Sequence, residues 1–342
     1  MTQTYKKPEY RYINDLRRFE FMQSHAVQLR RTIVPVGLSL VFLTAIALYV
    51  GAIGVSEGSL LIICAAVIGG YMALNIGAND VANNMGPAVG GKVLTITTAI
   101  FIAAICESAG ALLAGGDVVK TVAKGIIQPG GEVSVVEFRY LMLSALLAAA
   151  LWINLATILS APVSTTHSIV GGVLGAGVAA AGVGLVNWVT VSKIAASWVI
   201  SPVFGAMTSA ALLYFIKTRI LNVPDRIAAA RRWIPILIAL MAAAFAAYMA
   251  MKGLKKVWQP SPVMILLFSS AAALGAWLFA RPYVERRTHD RRNRKKDIYP
   301  LFDLPLIIGV ALLSFAHGAN DVANAVGPLA AIVSTFDQSL SL

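Results

Sequence analysis

Apolar stretches near or above the ~18 residues needed to cross a bilayer recur along the whole chain, with short polar or basic segments between them. They predict helices over about 32–55, 59–90, 93–114, 138–160, 166–186, 188–216, 233–251 and 261–280, and from about 301 to the C-terminus. Residues 1–31 form a polar, mixed-charge arm. The first apolar stretch starts only after this arm, too late for a cleaved signal peptide, and reads as a retained helix. Between the third and fourth stretches, Gly115–Glu137 carries Gly115-Gly116, Pro129-Gly130-Gly131, Lys120 and Lys124. That segment reads as an interfacial or re-entrant element. The pattern is that of an all-α integral membrane protein with about nine hydrophobic spans.

One phrase breaks the apolar pattern twice. Gly77-Ala78-Asn79-Asp80-Val81-Ala82-Asn83-Asn84-Met85-Gly86-Pro87 returns, 241 residues later (318 − 77), as Gly318-Ala319-Asn320-Asp321-Val322-Ala323-Asn324-Ala325-Val326-Gly327-Pro328. Nine of the eleven positions are identical. An aspartate at bilayer depth costs about 2.5–3.5 kcal/mol on insertion scales, so a duplicated one points to a polar site built from two repeats. The alternative is that each aspartate lies near a helix end and reaches the interface. Gly86-Pro87 and Gly327-Pro328 predict broken helices, whose freed carbonyls beside a carboxylate suit a hard cation. Asn79 and Asn83 are four apart, as are Asn320 and Asn324, so on a helix each pair shares a face.

Composition agrees with the membrane reading. Of 342 residues, 58% are hydrophobic and 13% charged, against roughly 25% charge in a soluble domain. Mean hydropathy is +0.75. The net charge of +12 is concentrated in the N-terminal arm, in Lys217–Arg232 and in Arg281–Lys296. The last run could suggest nucleic acid, but a short basic loop between spans explains it better, and no nucleic acid is expected. With the N-terminus cytoplasmic and one crossing per span, all three clusters fall on the cytoplasmic side, as the positive-inside rule requires. Lys252, Lys255 and Lys256 are the exception. The same count sends the first phrase inward and the second outward, which makes the repeats inverted.

Two further segments carry chemistry. In Ala161-Pro162-Val163-Ser164-Thr165-Thr166-His167-Ser168, a proline and a run of hydroxyls open an apolar helix. This suits either plain N-capping or an anion cradle at a helix N-terminus. Glu107, in Ile105-Cys106-Glu107-Ser108-Ala109-Gly110, has no lysine or arginine within a helical turn. A cation or proton role is favoured for it over a structural one, which would need a partner from another helix. His167 and His317 border polar motifs and read as hydrogen-bonding residues rather than metal ligands. Cys64 and Cys106 read as free thiols packed in apolar helices. No nucleophile–base, zinc or nucleotide spacing supports an enzyme or a cofactor.

These residues resemble the inorganic phosphate transporter (PiT) family. The resemblance rests on the doubled Gly-Ala-Asn-Asp-Val-Ala-Asn phrase, Glu107-Ser108-Ala109-Gly110, Pro162-Val163-Ser164-Thr165-Thr166-His167 and Ser197-Trp198-Val199-Ile200-Ser201-Pro202. It covers about residues 59–334 and implies an ion-coupled phosphate importer with inverted repeats. By the resemblance, Asp80, Asn83, Asp321 and Asn324 serve coupling-cation and substrate binding; Asn79 and Asn320, which share their helix faces, are expected as further substrate-binding amides. Ser164, Thr165 and Thr166 donate to phosphate, and Glu107 is needed for coupling. Na⁺ is a candidate occupant at Asp80 and Asp321, and H⁺ is the other coupling ion.

The implied plan has five parts. A polar arm (1–31) precedes an extra N-terminal span (32–58) and the first repeat (59–216). Connecting spans with basic loops (217–300) lead to the start of a second repeat (301–342). That repeat lacks its own glutamate and Pro-Val-Ser-Thr-Thr-His segment, so a truncated chain is expected. A sulfate or other oxyanion permease, and a non-transporting membrane partner, are the alternatives. The expected setting is a bacterial inner (plasma) membrane, and a homodimer is one assembly open to the chain.

Overall fold

The computed structural model describes residues 33–53, 59–116, 126–127, 133–253, 260–289 and 291–339. The N-terminal arm and most of Gly115–Glu137, including Lys120 and Lys124, lie outside the described residues. Among the described residues the regular structure is helical. The long helices are α1 (Ile33–Ala52), α2 (Ser59–Gly90), α3 (Ile96–Ala114), α4 (Val135–Ile158), α5 (Thr165–Ala181), α6 (Trp188–Ile216), α7 (Arg226–Tyr248), α8 (Pro262–Thr288) and α9 (Asp303–Ser339). A helix therefore stands at each predicted span. By length and composition eight are able to cross a membrane, while α5, with 17 residues, is shorter.

The chain divides into two units. The first ends at Gly70 and holds α1 and the opening turns of α2. The second begins at Tyr71 and contains everything that follows.

Local chemistry sets the helix starts in the second unit. Ser134 and Glu137 form a reciprocal capping box on α4: Glu137 N–H donates to Ser134 Oγ and Ser134 N–H to Glu137 Oε2. Thr95, Ser164, Asp225 and Ser261 cap α3, α5, α7 and α8 by accepting from the backbone three residues on. Phe138, Met142, Leu146, Ala149 and Ile153 are buried along α4, at the three- and four-residue spacing of one helical face.

Two packing relations position the site. After α2 the chain turns at Gly91–Thr95 and returns as α3, with Met85 and Ala88 packed against Ala99 and Ala103. Next, α3 lies on α9 with residue numbers rising together: Val310 is beside Ala103, Phe315 beside Gly110 and Val322 beside Gly115. Thus α2 and α3 are antiparallel while α3 and α9 are parallel, so the two repeated phrases run in opposite directions. The α3–α9 approach depends on glycine. A Cβ on Gly110 would collide with the Phe315 carbonyl, and one on Gly318 with the Glu107 backbone.

Three expectations need correction. Neither Gly-Pro pair breaks its helix: α2 runs past Pro87 to Gly90, and α9 runs past Pro328 to Ser339. A proline removes one backbone hydrogen bond, and the neighbouring turns keep theirs, a defect that apolar helices tolerate. The basic clusters are not simply loops. Helix α7 already includes Arg226, Arg231 and Arg232, and α8 includes Arg281, Arg286 and Arg287. Cys64 is free as expected but exposed, whereas Cys106 is half-buried.

Candidate functional site

The two phrases meet at a cavity of about 370 Å³. Helix α2 contributes Asp80, Asn83 and Asn84, and α9 contributes His317 and Asp321. The α4–α5 connection and the first turn of α5 supply Pro162, Val163, Ser164, Thr165 and Thr166. On α9, His317, Asp321 and Asn324 fall at i, i+4 and i+7, one face of the helix.

At the centre is His317, with only 13% of its side chain exposed. Its Nε2 lies 2.9 Å from Asp321 Oδ2 and 3.5 Å from Asp80 Oδ2, and its Nδ1 lies 3.3 Å from Glu107 Oε1. Neither ring nitrogen aims an N–H along these lines, so neither makes an aligned hydrogen bond. The contacts are electrostatic, one imidazole among three carboxyl groups from α2, α3 and α9. Two acids this close in a low-dielectric interior require compensating positive charge. Ligand atoms of Asp80, His317 and Asp321 lie within 4.8 Å of one another, a spacing that can hold a cation.

Hydroxyls join this centre on the α5 side. Ser164 Oγ accepts from the His167 N–H at 3.2 Å and does the capping alone. The two threonines are therefore spared for α9. Thr165 Oγ1 donates to Asp321 Oδ2 at 3.0 Å. Asn324 Nδ2 donates to the Oγ1 atoms of Thr165 and Thr166, each at 3.1 Å. Thr165, Asn324 and Asp80 are buried.

The other expected residues are distributed unevenly. Asn83 lines the cavity, but Asn79, one turn away, does not. Asn79 Nδ2 donates to Thr157 Oγ1 and the Ala161 carbonyl, and its Oδ1 accepts from the Val163 N–H. It fixes the segment that leads into the hydroxyl run. Asn320 is exposed and outside the cavity. Glu107 sits behind His317 and accepts from Asn84 Nδ2 at 3.0 Å, so it has partners from two other helices. His167 turns its ring edge to Trp198 of α6, with centroids 3.9 Å apart.

His317 and Asn84 are the residues that sequence reasoning underrated. The available signal was spacing: His317 precedes Asp321 by four, and Glu107 lacked a neighbour of opposite charge.

A polytopic helical protein with carboxylates, an imidazole and a hydroxyl-bearing helix start around a shared, open cavity is the class that fold and site define. A model of the phosphate transporter family matches residues 76–341, and the chain belongs to that family. It is 44% identical over 328 residues to a protein assigned as a phosphate permease in Helicobacter pylori, covering 96% of this chain and 62% of that one. It is 35% identical to a protein of the same name in Haemophilus influenzae, over 82% of this chain and 68% of the relative. A solved structure described as the sodium-dependent phosphate transporter superposes with a TM-score of 0.76 at 36% identity, covering 82% of this chain and 69% of that one. The chain thus spans about three fifths of the length of its Helicobacter relative.

Proposed function

We propose that the cavity binds inorganic phosphate with a coupling cation, Na⁺ or H⁺, and that the protein moves both across the membrane as a symporter. The observation that carries this reading is the junction of Thr165 with Asp321, where an anion-binding hydroxyl meets a cation-binding acid. Ser164, Thr165, Thr166 and Asn83 offer donors to phosphate oxygens, and Asn324 holds the two threonines in place. Asp80 and Asp321 seat the cation, with Glu107 acting on them through His317.

Charge explains why coupling is needed. Moving one negative charge inward against about 100 mV costs roughly 2.3 kcal/mol, and a dianion costs about twice that. Two monovalent cations cancel it. The opposite directions of the two phrases favour a pair of inverted repeats that share the site. The name of the solved relative favours Na⁺. His317, a protonatable group between the two aspartates, favours H⁺.

Radiolabelled phosphate uptake by cells that lack their own carriers tests the assignment. Asp80→Asn and Asp321→Asn are expected to remove cation-coupled accumulation while leaving membrane insertion intact. Normal accumulation by both variants contradicts the proposal. Sulfate that competes as well as phosphate moves the substrate to oxyanions in general.

A further inference from the structure

The C-terminal turns of α8 and the segment that follows carry a second basic cluster, separate from the cavity. Residues 281–296 hold eight Lys or Arg and two acids. Four of these eight cations have polar partners within the described protein. Arg281 pairs with Glu285 at 3.2 Å and Arg294 with Asp297 at 2.9 Å. Arg291 donates to the backbone carbonyls of Arg287 and Asp297, and Lys295 to Asn222.

Arg286 and Arg287 differ. Both are exposed, and among the described residues neither guanidinium makes an ion pair or a hydrogen bond. They rim a pocket of about 430 Å³ whose remaining walls are Phe279, Pro282 and Tyr283. The Arg287 guanidinium sits 5.5 Å from the Tyr283 ring centre. Tyr283 stacks with Phe279, which is 65% exposed.

The scaffold beneath is firm. Ile220, Ile234, Ile238, Val284, Ile298 and Leu301 form a buried cluster, and Arg231 Nε donates to Thr288 Oγ1 at 2.7 Å. Two exposed guanidiniums, unpaired among the described residues, over an aromatic wall at a helix end match an amphiphile: a phosphate oxyanion above and an acyl chain below. A free phosphate would leave Phe279 uncovered.

We propose that Tyr283, Arg286 and Arg287 bind the phosphodiester headgroup of an anionic phospholipid whose acyl chain runs along Phe279. The site lies at the basic end of α8, so it reads the charge of the leaflet that this end reaches.

Native mass spectrometry of the purified chain tests this, with phosphatidylglycerol and phosphatidylcholine of identical acyl chains as probes. Phosphatidylglycerol is expected to be retained about tenfold more tightly or better. The double variant R286Q/R287Q should lose that preference. R286K/R287K, which keeps the charge, should retain most of it and guards against a mere folding defect. R281Q, which removes an internally paired cation, should bind like the parent. Equal retention of the two lipids, or an unchanged preference in R286Q/R287Q, overturns the proposal. Displacement of phosphatidylglycerol by millimolar inorganic phosphate also overturns it and assigns the pocket to a soluble anion.

Discussion

Thr165 Oγ1 gives its only proton to Asp321 Oδ2 at 3.0 Å, and this bond joins the hydroxyl run of α5 to the acid cluster, the proposed anion- and cation-binding halves of the site. A hydroxyl has one proton to donate. While Asp321 accepts it, a phosphate oxygen cannot. A cation on Asp321 competes for the same carboxylate and releases the hydroxyl to the anion. On the proposed function, one side chain would thereby link occupancy of the two ligands, in the reciprocal sense that linkage demands.

This makes Thr165→Val and Thr165→Ser informative together. Valine keeps the shape and removes the proton, so half-saturation for phosphate should rise about tenfold or more, the usual worth of a hydrogen bond to a charged group. Serine keeps the proton and should stay within about threefold of the parent. Uptake titrations at fixed Na⁺ and pH check both, and equal behaviour of the two variants would remove Thr165 from the coupling scheme.

His317 gives a second prediction. Its Nε2 stands 2.9 and 3.5 Å from the two aspartates, where a coupling cation would also sit. Replacing it with glutamine removes the protonatable ring. In His317→Gln, phosphate uptake should fall about tenfold or more, because glutamine cannot balance the carboxyl groups of Asp80, Glu107 and Asp321 that surround the ring. Uptake at the parent's level would show that His317 has no part in the site.

The duplicated glycines give a third. Gly318 lies against the Glu107 backbone, while Gly77, its counterpart in the first phrase, has open space around it. Gly318→Ala should therefore lower stability by about 1–3 kcal/mol through forced separation of α3 and α9. Gly77→Ala should change it by no more than about 0.5 kcal/mol. Thermal unfolding in detergent distinguishes them, and equal midpoints would mean that the α3–α9 contact yields without strain.

That contrast also marks how far the sequence could be read. Helix positions were legible because the length of an apolar run is itself the signal. The meeting of Asp80, Asn83 and Asp321 was legible because copying a costly polar group has few explanations, whereas the place of the hydroxyl run beside them came from the family resemblance. What identity could not supply was environment. Asn79 and Asn320 are the same residue in the same phrase, yet one anchors the Ala161–Val163 segment and the other is exposed. Gly86-Pro87 and Gly327-Pro328 had the local chemistry of a break, but a single missing hydrogen bond was too small a defect to end either helix. His317 was underrated because its importance lies in Glu107 and Asp80, more than two hundred residues away in the sequence, and no local pattern reports that contact.

The central claim is that one cavity binds phosphate and cation interdependently. Phosphate affinity of the purified protein, measured across Na⁺ concentration and pH, tests it most directly. The expected result is that one of the two cations tightens phosphate binding by about 5–150-fold, the usual range of such coupling, and that Asp80→Asn and Asp321→Asn each abolish the effect. Phosphate affinity that ignores both cations, or cation dependence that survives in both variants, would contradict it.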